Sequence, residues 1–174
     1  MEVKLFTISV YTENTVGLLN RISAIFLKRH INIKSLTTSQ SEIEFVNRFV
    51  IVAEMTEETV KKIVKQLEKQ IEVVRAYYHT DEDIIHQESA LYKVKSSSLF
   101  DERHIQNIIK DSHANIVTVS REFFVIEKTG RRHETEKLFK DLKPYGLLQF
   151  VRSGRIAVTK EAMSVSGILE NIYQ

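Results

Sequence analysis

The sequence predicts an α+β fold made of two tandem ferredoxin-like βαββαβ units, and three observations carry that prediction. Short runs rich in β-formers alternate with stretches whose apolar residues recur at the helical period. The order of these elements over the first 80 residues returns over residues 90–152. An acidic, aperiodic stretch from His79 to Glu88 lies between the two and reads as an exposed connector. The expected domains are therefore 1–79 and 89–174, joined by a linker at 80–88.

Residues 3–11 alternate around Val3, Leu5, Phe6, Ile8 and Val10 and read as a strand. A helix follows, with Leu18, Leu19, Ile22, Ile25 and Phe26 on one face, ending near Arg29. Ile31 to Thr38 and Glu44 to Glu54 read as strands joined by the polar turn Ser39-Gln40-Ser41-Glu42. Thr56-Glu57-Glu58-Thr59 supplies the acidic start that a helix N-terminus prefers, and Val60, Ile63, Val64 and Leu67 supply its buried face. Ile71 to Tyr78 closes the unit. In the second half the same order gives a strand at Ala90 to Lys95, a polar loop at Ser96-Ser97-Ser98 and a helix with Ile105, Ile108 and Ile109. Strands at Asn115 to Ser120 and Phe123 to Lys128, a turn at Thr129-Gly130, a helix with Leu138, Phe139 and Leu142, and a strand at Leu147 to Arg152 complete it. Pro144, the single proline, falls just after the last helix, where the chain is expected to stop. Met163, Val165, Ile168, Leu169 and Ile172 follow at roughly helical spacing and predict a terminal helix.

The chain has 174 residues, 43% of them apolar and 28% charged, which is the balance of a soluble globular protein. A net charge of +2 from 25 basic and 23 acidic side chains leaves no concentrated positive field, so nucleic acid is not an expected partner. Cysteine is absent, which excludes disulfides, thiolate metal sites and thiol nucleophiles. The start of the chain lacks a signal-peptide apolar core and no run is long enough to span a bilayer, so neither a membrane partner nor a location outside the cytoplasm is expected. Phosphate-binding glycine loops, His-Glu-x-x-His and nucleophile elbows do not occur. No catalytic residue, metal ligand or resident cofactor is therefore predicted. The basic cluster Arg131-Arg132-His133 reads as a solvated turn.

The most informative stretch is Glu13-Asn14-Thr15-Val16-Gly17-Leu18-Leu19, followed one helix later by Asn32-Ile33-Lys34-Ser35-Leu36. Gly17 in the first helical turn either lets the strand turn sharply into the helix or leaves backbone N–H groups and the positive helix end open to an anion such as an amino-acid carboxylate. Asn14 serves either as a helix cap or as a ligand contact. Asn32 is poor strand chemistry at the start of an apolar strand, but its amide both donates and accepts, which suits a zwitterion. Leu18, Leu19 and Ile33 would wall an apolar side chain. The candidate effector-binding residues are thus Asn14, Gly17, Leu18, Leu19, Asn32 and Ile33.

The pattern Asn-x-x-Gly-x-Leu, followed by Arg29-His30-Ile31-Asn32-Ile33-Lys34-Ser35-Leu36, resembles the ACT domain of the small, regulatory subunit of acetolactate synthase (acetohydroxyacid synthase). The second half resembles that subunit's C-terminal domain at Ala90-Leu91-Tyr92-Lys93-Val94, Ala114 to Ser120, Glu127-Lys128-Thr129-Gly130 and Arg152 to Ala157. The resemblance implies a non-catalytic protein of branched-chain amino-acid biosynthesis. Its partner would be a catalytic large subunit carrying thiamine diphosphate, FAD and Mg. It would activate that subunit and confer feedback inhibition by valine or another branched-chain amino acid, bound between the ACT domains of a homodimer. Asn14, Gly17, Leu18 and Leu19 would come from one chain, and Asn32 and Ile33 from its neighbour. His30 stands where the family usually has Gly in a left-handed turn, and Val16 where it has a small polar residue. A free-standing tandem ACT-type sensor acting on another target is the alternative reading.

Overall fold

The computed structural model describes residues 2–101, 103–162, 164 and 167. The first six elements are β1 (Val3–Glu13), α1 (Leu18–Leu27), β2 (Ile33–Gln40), β3 (Val46–Thr56), α2 (Glu57–Leu67) and β4 (Val73–His79). They form an antiparallel sheet in the order β2-β3-β1-β4. Register pairs Phe6 with Ala53, Ile8 with Ile51 and Val10 with Phe49. These side chains alternate onto one face, where they pack with Leu18, Ile22 and Phe26 of α1 and Val60, Ile63 and Leu67 of α2. Each large side chain buried there contributes about 1.5–3 kcal/mol relative to exposure. α2 is held at its start by Thr56, whose hydroxyl accepts from Thr59 N–H, and by the acids Glu57 and Glu58.

The later elements are β5 (Ile84–Lys95), α3 (Ser96–Asp101), α4 (Arg103–Asp111), β6 (Asn115–Val119), β7 (Phe123–Gly130), α5 (Arg132–Leu142), β8 (Leu147–Arg152) and β9 (Ile156–Thr159). Their sheet runs β6-β7-β5-β8, and β9 pairs with β5. Ala90, Tyr92, Val94, Phe124 and Ile126 face Ile105 and Ile109 of α4 and Leu138 and Leu142 of α5. This core also encloses charge. Glu88 is 8% exposed, accepts from Thr135 Oγ1 at 2.5 Å and pairs with Arg152, whose Nε lies 2.8 Å away without aiming its N–H at the oxygen. Arg152 Nη2 also donates to Glu136 at 2.7 Å, and Tyr92 Oη donates to the Thr135 carbonyl at 2.7 Å. Burial pushes the Tyr92 phenol well above its ordinary range.

Both units are the α+β, ferredoxin-like folds that the sequence predicts, with several differences of detail. Residues 84–88, expected as connector, already belong to β5, because Ile84, Glu88 and Ala90 are all buried on alternating positions. Thr129-Gly130 is the end of β7 and not a turn, with Gly130 opposite Glu88. Ser96-Ser97-Ser98 opens α3, since Ser96 Oγ donates to the Ser120 carbonyl and Ser98 Oγ to the Tyr145 carbonyl, both at 2.7 Å. β9 was not anticipated. Arg131-Arg132-His133 caps and opens α5, where Glu134 accepts from Arg131 N–H at 2.7 Å.

The chain packs as two compact units whose borders differ from 1–79 and 89–174. One comprises the described residues of Met1–His86 and Arg155–Gln174, the other Gln87–Gly154. Residues 155–160 therefore return to the first unit. Arg155 Nη1 donates to Thr7 Oγ1 at 2.8 Å and Asp81 at 2.6 Å, its N–H donates to Ser35 Oγ at 3.2 Å, and its carbonyl accepts from Thr37 Oγ1 at 3.1 Å. The sheet face without helices is thus partly covered. The expected helix of Met163, Val165, Ile168, Leu169 and Ile172 lies outside the described residues.

Candidate functional site

The loop from β1 to α1 is built as a bare helix entrance. Gly17 takes φ 84° and stands at the N-cap of α1, where no side chain bonds the first-turn N–H groups and no acidic residue follows. Nothing lies within 4 Å of the position a Cβ would take. Leu19 and Asn20 N–H, at the start of a helix, have no intrahelical acceptor. The loop itself is fixed: Asn14 N–H donates to the Phe45 carbonyl at 3.2 Å, and Asn14 Oδ1 accepts from Asn47 Nδ2 at 3.0 Å. Asn14 therefore does not cap α1; its amide is held by β3. Arg21 pairs with Glu72 at 2.7 Å and anchors the first turn beside the loop. Val16, Leu19 and Phe45 leave an apolar rim, with Val16 fully exposed and Phe45 75% exposed.

The six sequence-selected residues do not share one surface in a single chain. Leu18 is 2% exposed and packs in the core, so it shapes the loop from below. Leu19 is exposed beside Gly17. Asn32 is exposed just before β2, and half-buried Ile33 packs on the core. His30 takes φ 54°, the left-handed turn expected of it, with Ile31 N–H on the Phe26 carbonyl at 3.1 Å and its own N–H on the Leu27 carbonyl at 3.0 Å.

A second constellation was missed from sequence. On the helix-free face of the first sheet, Arg48 of β3 stands opposite Tyr11 of β1, its guanidinium 5.6 Å from the ring centroid. Its Nη2 donates to Ser9 Oγ at 3.1 Å and to the Ala157 carbonyl at 2.5 Å. Tyr77 meets Tyr11 edge to face at 6.5 Å between centroids. Burial holds His79 below the ordinary imidazole value and raises the Tyr11 phenol. The available signal was a charged residue inside the most apolar strand, which alternation places on one face of the sheet.

In the second unit a cavity of about 460 Å³ is lined by Lys128, His133 and Lys137 against Asp111, Glu134 and Asp141, a balance that favours no single ligand charge. Among the described residues no group of acids and histidines is placed to hold a metal, and no helix is long and apolar enough to cross a membrane.

Comparison with known proteins accounts for nearly the whole chain. Residues 8–75 match the family model for the AHAS small subunit-like ACT domain, and residues 87–161 match that for the small subunit of acetolactate synthase. The acetolactate synthase small subunit of Bacillus subtilis is 37% identical over 154 residues, covering 88% of this chain and 89% of that protein. A probable acetolactate synthase small subunit of Archaeoglobus fulgidus is 32% identical over 155 residues, 88% of this chain and 96% of that one. The crystal structure of the acetolactate synthase small subunit from Thermotoga maritima superposes with a TM-score of 0.82 at 28% identity, over 92% of this chain and 99% of that one. With its two sheets, its Gly17 entrance and this breadth of similarity, the chain belongs to the acetolactate synthase small-subunit family.

Proposed function

We propose that this chain is the non-catalytic regulatory subunit of acetolactate synthase. It binds the catalytic large subunit in the cytoplasm and raises its turnover. It also transmits feedback inhibition by valine or another branched-chain amino acid. Thiamine diphosphate, FAD and Mg belong to the large subunit in this reading. The observation that carries it is the uncapped start of α1, with Gly17 at φ 84° and open space before it. Such an end attracts a carboxylate through unsatisfied N–H groups and the helix dipole. Leu19, Val16 and Phe45 offer apolar surface beside it, and Asn32 of a second copy completes the site, so that a homodimer forms around the ligand.

The test reconstitutes the holoenzyme with Gly17→Asp and Gly17→Asn chains. Both variants place a Cβ at positive φ, a conformation Asn and Asp tolerate best among residues with side chains. Only Asp adds negative charge at the helix end. Valine inhibition is expected to disappear with Asp and persist with Asn, while activation of the large subunit survives in both. Equal valine sensitivity in the parent and the Asp variant would refute the assignment, as would pyruvate turnover by the small subunit alone. Valine should also tighten dimerisation of the parent and not of Asn32→Ala, because a ligand that spans two chains favours the paired state. Sedimentation across a dilution series reads this directly.

A further inference from the structure

Independently of the Gly17 loop, the first unit contains a pocket of about 380 Å³ on its helix-free face. Its floor is β1, β3 and β4, through Ser9, Tyr11, Arg48, Tyr77 and His79. The wall is the returning chain, through Val158, Thr159 and Glu161.

We propose that this pocket is a second small-molecule site, which takes a free α-amino acid with an uncharged side chain. Four observations lead there. The Arg48 guanidinium is committed through Nη2 to Ser9 and the Ala157 carbonyl, which fixes its plane, while its Nε is buried without a hydrogen-bond partner among the described residues. A buried donor left unpaired is costly, and a planar guanidinium held in place is suited to a carboxylate. Glu161 is an exposed carboxylate on the same rim, so opposite charges meet opposite ends of one ligand. That arrangement favours a zwitterion over a simple anion, which Glu161 would repel, and over an amine, which Arg48 would repel. The remaining walls, Tyr11, Tyr77 and Val158, are apolar bodies, and the hydroxyls of Ser9 and Thr159 are neutral. His79 lies on the same face in its neutral form, with one donor and one acceptor. Glu42, a second exposed carboxylate on the lining, would repel an acidic ligand side chain, and the apolar walls suit an uncharged one. The volume falls within the range of small-ligand pockets.

The experiment uses the full chain with ¹³C-labelled tyrosine rings, followed by NMR while L-valine, L-leucine, L-isoleucine or L-phenylalanine is added. At least one is expected to shift the Tyr11 and Tyr77 signals by about 10 mM, an affinity ordinary for a single small-ligand site. Isovalerate, which lacks the ammonium, and isobutylamine, which lacks the carboxylate, are expected to leave them unmoved. Gly17→Asp should keep the shifts. Arg48→Met should weaken them at least about tenfold, the scale of a lost charge-assisted hydrogen bond. Glu161→Gln, a change at an exposed position, should weaken them about threefold, and it stands as the decisive variant if Arg48→Met does not fold. Unmoved tyrosine signals with all four amino acids overturn the proposal. So do shifts lost in Gly17→Asp but kept in Arg48→Met, or isovalerate acting as well as an amino acid. None of these outcomes touches the valine inhibition assay, so the two sites stand or fall separately.

Discussion

The two units leave their first strands in opposite ways. In the first, β1 gives way to a four-residue loop, and α1 starts at Gly17 with no side chain across its N-terminus. In the second, β5 runs straight into α3 at Ser96, and the hydroxyls of Ser96 and Ser98 are bonded to the carbonyls of Ser120 and Tyr145. The far ends of the helices that follow are nearly identical. His30 and His113 take φ 54° and 53°, and each is followed by an N–H that reaches back five residues, Ile31 to Phe26 and Ala114 to Ile109. Repetition of the fold has thus kept the turn that starts the second strand, His-x-Asn-Ile in both units, while the passage from first strand to first helix differs between them.

The cores differ as well, and the largest expected effect lies there. The buried polar side chains of the first unit, Thr7, Ser9 and Thr12, are neutral, whereas the second encloses the charged Glu88 with Arg152, Thr135 and Tyr92. Arg152→Met leaves Glu88 buried without its cation and is expected to cost about 3–5 kcal/mol. Glu88→Gln added to it should restore most of the loss. Amide exchange along β5, β7 and β8 measures both variants, and an unchanged exchange rate in the single variant would place the pair's strength at that of a surface contact.

Smaller effects compare equivalent turns. Gly17→Ala and Gly146→Ala, at φ 84° and 77°, are each expected to cost about 1 kcal/mol in chemical denaturation. Gly146→Ala also meets Lys95 Cδ at 3.2 Å, a flexible contact that can shift. Neither change places charge at a helix end, so both chains should keep the response to valine. Replacing His30 or His113 by Gly relieves a left-handed strain in either unit and should stabilise each by about 0.5–1 kcal/mol, with the same sign in both. Opposite signs would mean that one of these histidines makes a contact worth more than its backbone strain.

The smallest effect is electrostatic. Burial lowers the His79 pKa from 6.5, so the unfolded chain binds this proton more readily than the folded one. Its contribution to stability is complete above about pH 6.5 and is lost as the pH falls below that value. The urea midpoint should therefore decline between neutral and mildly acidic pH more in the parent than in His79→Gln, and parallel curves would assign the decline to other groups.

Much of this was legible in the sequence, because strand and helix periods are local. β1, α2 and β8 follow directly from alternation, acidic start and apolar run. The first turns of β5 were not, because the burial alternation at Ile84, Glu88 and Ala90 passes through an acid whose partner Arg152 is far away in the chain. Gly130 reads as a turn until it is paired with Glu88 across the sheet. At the candidate site, Gly17 was visible from type and position, and the left-handed turn at His30 from the family resemblance. Leu18 was not separable from Leu19, since neighbours on a helix start differ only in the direction they point, and Leu18 points inward. Arg48 escaped because its partners, Ser9, Tyr11 and the Ala157 carbonyl, come from three separate stretches of chain.

The return of Arg155 to the first unit sets an order on how the protein is made. Thr7, Ser35 and Thr37 leave the ribosome early, yet their partner Arg155 follows only after the whole of Gln87–Gly154 has been synthesised. At about 5–20 residues per second, the early sheet waits several seconds or more with one face uncovered. A nascent chain arrested before residue 155 should therefore expose that face to chaperones and proteases, and release should close it.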